Sequence, residues 1–230
     1  MITLAIDAST YVGTVAVLRD GQLLAQREAA MRGREAERLM PALVDALAFA
    51  GVEVRELQRV VCGDGPGSFT SLRIAASIAK GIAMGVGAQL RRVSSLALIP
   101  AGGGVQPGRY LAALDALRGE AYFQRFRVED TGDVVAETRF YLGPLAAVAA
   151  AAGDMRARIA APAEVLELIG RSAAAPLDSP IALAPHARGV ARLEQSLEAA
   201  DLAEWEPRYG RLAEAQVKWE AEHGRPLPRP

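Results

Sequence analysis

The order of apolar runs and helical patterns predicts an α/β protein built from two copies of a β-β-β-α-β-α unit. Three observations lead there. Three short strand-like runs lie before residue 30, two of them joined by a hairpin signal. A helix, a strand, a helix and a strand then follow up to Val93. A second group of three strand-like runs begins at Tyr110. Strands in hairpin order followed by strands separated by helices fit a mixed sheet, antiparallel in one half and parallel in the other, with helices covering it.

Residues 2–6 form an apolar run that ends at Asp7-Ala8-Ser9-Thr10, and residues 14–18 form a second strand. Asp20-Gly21 is a hairpin signal, and residues 22–28 read as the third strand. In residues 35–50, Leu39, Leu43, Ala46, Leu47 and Ala50 share one helical face. Pro41 must occupy the first turn of that helix or kink it, and Gly51 is suited to stop it. Residues 59–62 are the fourth strand, residues 69–85 a helix and residues 90–93 the fifth strand. Residues 101–108 are rich in Gly and Pro and read as a junction. Beyond it, residues 110–116, 120–128 and 134–140 repeat the three-strand group, with turns at 117–119 and 130–133. Helical segments are expected at 144–152, 163–169 and 187–203. This divides the chain into residues 1–104, 105–205 and a polar tail, 206–230. Within the tail, 212–222 reads as a short helix and 224–230 as a disordered or extended arm.

Composition narrows the function classes. Half of the 230 residues are apolar, enough for a sizeable core, and the net charge is −1. A protein that grips nucleic acid unaided needs phosphate neutralisation and a basic stripe, which this balance argues against. The single cysteine, Cys62, excludes an internal disulfide and reads as a buried, inert thiol in a strand. The N-terminus lacks the pattern of a signal peptide, and no charge-free apolar segment reaches the length of a membrane span, so the expected location is the cytoplasm, with no membrane partner. His186 and His223 are far apart and in no ligand spacing, which argues against a His/Cys metal centre and against a Ser-His-Asp triad.

The most informative stretch is residues 63–73, GDGPGSFTSLR. An apolar strand stops at three glycines and a proline, and a helix begins at once. Ser68 or Thr70 can cap the first free amides of that helix. A strand–turn–helix with backbone donors at a helix start suits a phosphate, which makes Gly65, Gly67 and Ser68 candidate nucleotide-binding residues. The same spacing also suits a plain tight turn, and neither the Walker nor the dinucleotide glycine pattern is present. Asp7, Ser9 and Thr10, at the end of the first strand, are the matching candidates for a magnesium–phosphate group. Against that, no glycine lies between Asp7 and Thr10, and an Asp there can simply close its own turn. The helix at 69–85 carries Ala75, Ala76, Ala79, Gly81, Ala83 and Gly85. Small residues let another element approach closely, either the chain's own sheet or a partner. Arg73 and Lys80, seven apart, share a face and suit acids on a neighbouring surface.

AIDAST near the N-terminus, GDGPGSFTSLRIAASIAKGIAMG from residue 63, and LDALRGEAYF at 114–123 resemble the TsaB (YeaZ) family. The similarity runs from Met1 to about Val93, weakens to Phe123 and fades in the tail. It implies the duplicated actin/Hsp70-like ATPase fold, which is ribonuclease H-like. It also implies a non-catalytic subunit that supports a TsaD-like catalytic partner, with a TsaE-like ATPase, in threonylcarbamoyl transfer to the N6 of the adenosine beside the tRNA anticodon. No catalytic residue and no metal ligand is then expected in this chain. TsaD carries paired metal-binding histidines on its first helix, whereas this chain has Arg34-Glu35-Ala36-Glu37-Arg38 in the corresponding region. Many relatives have a histidine where Glu35 stands. In the resembling family the two N-terminal helices meet TsaD or a second copy, which makes Glu35, Arg38, Leu39, Arg73, Ala76, Ala79 and Lys80 the expected interface. The chain alone is expected to form a homodimer and to meet tRNA only through the complex. No tightly bound cofactor is expected; ATP or ADP with magnesium at a subunit boundary is the open option. The contrasting reading is a nucleotide-hydrolysing or phosphoryl-transferring enzyme of the same fold, using Asp7 and the glycine turn.

Overall fold

The computed structural model describes residues 1–31, 38–210, 219 and 222–224. The first half contains β1 (Ile2–Asp7), β2 (Val12–Arg19), β3 (Gln22–Ala30), α1 (Leu39–Ala50), β4 (Arg59–Gly63), α2 (Phe69–Val86) and β5 (Gln89–Val93). Then come α3 (Leu98–Gly103), β6 (Gly108–Asp115), β7 (Glu120–Val128), β8 (Val134–Ala136), β9 (Tyr141–Pro144), α4 (Leu145–Asp154), β10 (Arg158–Ala161), α5 (Ala163–Ser172), β11 (Ile181–Ala182) and β12 (Glu198–Ala199).

The two sheets have the same wiring. β1 is antiparallel to β2 and parallel to β4, giving the order β12-β5-β4-β1-β2-β3. β6 is antiparallel to β7 and parallel to β10, giving β11-β10-β6-β7-β8, with β9 also paired to β7. In each half the third, second, first, fourth and fifth strands lie side by side in that order. This is the duplicated actin/Hsp70-like, ribonuclease H-like fold.

Period-two alternation sorts the strand residues into layers. Leu4, Ile6, Val15, Val17, Val60 and Cys62 face one way and pack under α1 and α2. Ala5, Ala16, Leu18 and Val61 face the other way, into a central layer shared with Tyr110, Ala112, Leu114, Tyr122 and Phe126 of the second sheet. Leu111, Ala113, Ala121 and Phe123 point outward onto α4 and α5. The result is five layers, with one apolar seam joining the two sheets.

Several sequence expectations change. Residues 101–108 are not a bare junction: α3 is buried in the central layer. It packs backbone to backbone on the 3-10 turn Ala187–Arg192, because a Cβ at Gly189 would lie 2.6 Å from the Gly102 nitrogen. The helix expected over 187–203 is instead two 3-10 turns, Ala187–Arg192 and Glu194–Ser196, followed by β12. Tertiary contacts hold this segment: the Ala187 amide donates to Thr14 Oγ1 at 3.0 Å, and buried Arg59 clasps Glu194 through two bonds of 2.5 and 2.9 Å. β12 then returns to the first sheet beside β5. The strand expected at 134–140 stops at Ala136 as β8, because Thr138 is taken up by the Gln124 side chain and the Arg125 amide, and β9 forms only beyond it. β10 is too short to show alternation and forms because β6 offers it an edge. Pro41 lies in the first turn of α1, and Gly51 ends that helix with φ +61°. The expected start of that helix at 35–37, and the expected helix and arm of the tail, lie outside the described residues except for Trp219 and residues 222–224.

α2 is long and apolar enough to span a membrane by length and composition alone. However, it lays Ala75, Ala76, Ala79 and Ala83 flat on the first sheet. Ala79 is fully buried, so Ala79→Leu overpacks the core and should cost roughly 1–3 kcal/mol. Thermal unfolding should show a clear fall for that variant and almost none for Ser77→Leu, at an exposed position on the same helix.

Candidate functional site

β1, β4 and β5 all end at the glycine turn, and the chain's own atoms fill it. Asp7, at the end of β1, is fully buried. Its carboxylate accepts from Ser95 Oγ at 2.6 Å, from Ser9 Oγ at 2.8 Å and from the Ser9 amide at 3.1 Å. Burial raises the Asp7 pKa above the usual carboxylate range, opposed by those hydrogen bonds. A Cβ at Gly63 would collide with the Asp7 carboxylate, and one at Gly67 with the Ser9 carbonyl. Three of the turn's amides are also engaged. Asp64 donates to the Val93 carbonyl at 2.9 Å, Gly65 to Ser95 Oγ at 3.1 Å, and Ser68 to the Ser9 carbonyl at 2.8 Å.

A second carboxylate lies at the turn's outer end. The Asp64 side chain is fully buried, and the Arg208 guanidinium holds its Oδ2 at 2.8 Å. Arg92 lies 3.5 Å from the same oxygen. Burial pushes the Asp64 carboxyl up to about 6, against the pull of Arg208 and Arg92, while Glu198 adds to the rise. Asp64 Oδ1 has no partner among the described residues. Cys62 is buried beside both carboxylates, which push its thiol further up, so it is no nucleophile. Beside the turn, a cavity of about 570 Å³ opens between the two sheets, with Gly65, Val93, Gln124, Phe126, Arg139 and Arg208 in its lining.

The structure therefore brings together Asp7, Ser9, Gly65, Gly67 and Ser68, and explains their pattern as close packing of the chain on itself. Ser68 makes no side-chain cap; its Oγ meets Ser71 Oγ at 3.0 Å. Thr10 closes its own turn on Val12. The expected interface divides. Leu39, Ala76 and Ala79 are buried in the chain's own core and present no surface, because the helices' small and apolar face is the one laid on the sheet. Lys80 is half-buried with its ammonium 5.8 Å from the centre of the Trp205 ring, so it does not offer the free charge expected of it. Arg38 and Arg73 are exposed. Glu35 lies outside the described residues. Asp64 and Arg208 were missed. An Asp between two glycines was visible in the sequence, but its partner is 144 residues away.

The fold and site define a ribonuclease H-like duplicated protein whose first-strand Asp and glycine turn are locked into its own interior. Over residues 29–158, more than half its length, the chain matches the family described as TsaD, tRNA N6-adenosine threonylcarbamoyltransferase. It belongs to that family, on the TsaB (YeaZ) side of it. It is 35% identical over 134 residues to tRNA threonylcarbamoyladenosine biosynthesis protein TsaB of Escherichia coli, a match covering 57% of this chain and 58% of that protein. It is 33% identical over 122 residues to the Bacillus subtilis protein of the same name, covering 53% of each. The chain thus spans a little over half the length of these curated relatives. YeaZ from Pseudomonas aeruginosa superposes with a TM-score of 0.76 at 25% identity, covering 90% of this chain and 99% of that one.

Two variants test the site's electrostatics. The folded pKa of Asp64 lies about two units above its unfolded value of 3.8. Its contribution to stability is therefore complete below about pH 4 and is lost as pH rises through about 6, a change of about 3 kcal/mol. Urea unfolding of Asp64→Asn should show a flatter pH dependence across that window than the parent. Asp7→Ala orphans the Ser95 hydroxyl and the Ser9 amide and should lower stability by roughly 2–3 kcal/mol in the same measurement.

Proposed function

We propose that this chain is a non-catalytic supporting subunit in tRNA threonylcarbamoyladenosine biosynthesis, docking on a TsaD-like subunit that carries the chemistry. The observation that carries this reading is the outer face of α1 and α2. α1 lies over β2 and β3, and α2 over β1, β4 and β5, on the same side of the sheet. Their outer surface leaves Met40 40%, Val44 56% and Met84 68% exposed, with open space where a Cβ would stand at Gly81 and Gly85. Apolar side chains beside bare helix backbone favour a closely packed protein partner. The Asp7 carboxylate supports the same reading, because the chain's own Ser9 and Ser95 already occupy both of its oxygens.

In this reading the same face closes a homodimer when the partner is absent, and a TsaE-like ATPase completes the assembly. tRNA is held through the partner, in keeping with a net charge of −1. The compartment is the cytoplasm. The competing reading, nucleotide hydrolysis by the chain itself, predicts turnover by the purified protein that Asp7→Ala abolishes.

The test is co-purification with a TsaD-like protein, followed by reconstitution of the tRNA modification with and without this chain. Val44→Arg and Met84→Arg place a charge on the docking face without touching the core. Each should weaken association by roughly tenfold or more while leaving thermal unfolding within a few degrees of the parent. Full-speed modification without the chain, or undiminished association of both variants, overturns the reading.

A further inference from the structure

The segment 205–210 lies across the end of the interdomain cleft and is held there as a bound peptide is held. The Arg208 amide donates to the Asp64 carbonyl at 2.6 Å, and its guanidinium pairs with the buried Asp64 carboxylate at 2.8 Å. The Arg208 carbonyl fills the space left by the missing side chain of Gly65. The Tyr209 ring packs on Phe69 with 4.4 Å between centroids, and the Tyr209 carbonyl accepts from Tyr122 Oη at 3.2 Å. Gly210 abuts the Tyr122 ring, where any side chain would clash. These contacts supply a carboxylate for a guanidinium, a flat apolar face for a ring, and one backbone acceptor. The groups come from both halves of the molecule.

We infer that Asp64, Gly65, Phe69 and Tyr122 form a recognition site for an arginine–aromatic peptide segment, occupied in cis by the chain's own Arg208-Tyr209. Three features separate this site from ordinary core packing. Arg208 is 44% exposed, and Tyr209 and Gly210 are not buried, so residues 208–210 rest on the surface. The anchor that stays behind is the buried stretch before them, with Pro207 covered and Trp205 in the core of the first half under Lys80. Asp64 Oδ1 is buried without a partner among the described residues, leaving the keeper carboxylate an acceptor that Arg208 does not fill. Arg208 also lines the cavity between the sheets, so lifting the segment opens one of the cavity's walls.

The test uses the full chain carrying Arg208→Ala and Tyr209→Ala. Backbone hydrogen exchange in residues 208–210 should quicken roughly tenfold or more, while β2, β6 and α5 keep the parent's rates. A synthetic peptide of residues 201–210 should then shift the NMR signals of Phe69 and Tyr122 in the double variant. In the parent, whose site is filled in cis, those signals should not move. The same peptide with alanine at both positions should be silent. Unchanged exchange in 208–210, a uniform rise across the chain, or no peptide-dependent shift in the double variant each overturns the inference. Protection of 208–210 that grows with protein concentration would replace the cis occupant by the same segment of a second copy, and so overturns the cis assignment.

Discussion

A buried carboxylate and two backbone carbonyls meet at the turn after β4, and they do so because positions 63, 65 and 67 carry no side chains. The Asp7 carboxylate enters at Gly63, the Arg208 carbonyl at Gly65 and the Ser9 carbonyl at Gly67. One short loop thereby fixes the end of β1, the end of β5 through Ser95, the start of α2 and the course of the tail. Two carboxylates end up buried within it. Removing them from water is costly, and hydrogen bonds from Ser9 and Ser95 in one case, and Arg208 in the other, offset part of that cost.

This constraint bears directly on function. A glycine turn at a helix start is chemically ready for an anion when its amides and the facing carboxylate are open. Here the amides of Asp64, Gly65 and Ser68 all have protein acceptors, and the facing Asp7 is saturated. The fold has kept the geometry of the turn and spent it on holding the molecule together. What the exterior offers is two helices with apolar and bare-backbone surface, which suits close packing against another protein.

The two halves are joined more firmly than their repeated wiring suggests. The central layer takes alternate residues from both sheets, and the segment 187–199 runs back from the second half to add β12 to the first sheet. Buried Arg59 of the interior strand β4 pins that return by clasping the more exposed Glu194. A rigid pair of sheets keeps the outer face of α1 and α2 in fixed register with the cleft, with the 205–210 segment spanning the gap between them.

Local pattern was enough for most of the frame. The apolar runs of β1, β2, β4 and β6, the Asp20-Gly21 hairpin, and the helical stripes ending at Gly51 and beginning at Phe69 are all legible, because each depends on neighbours in the chain. The roles of the small residues were not legible. Ala76 and Ala79 look the same in a sequence whether they admit a partner or the chain's own sheet, and burial alone decided for the sheet. The same holds for the glycines, whose spacing suits a phosphate cradle and a plain tight turn alike, while in the fold Ser9 and Arg208 occupy the space at Gly67 and Gly65. Residues 187–203 carry helical spacing, yet contacts with Thr14, Gly102 and Arg59 draw them into turns and a strand. Periodicity is a property of neighbours; the Asp64–Arg208 pair joins residues 144 positions apart, and only the folded chain could bring them together.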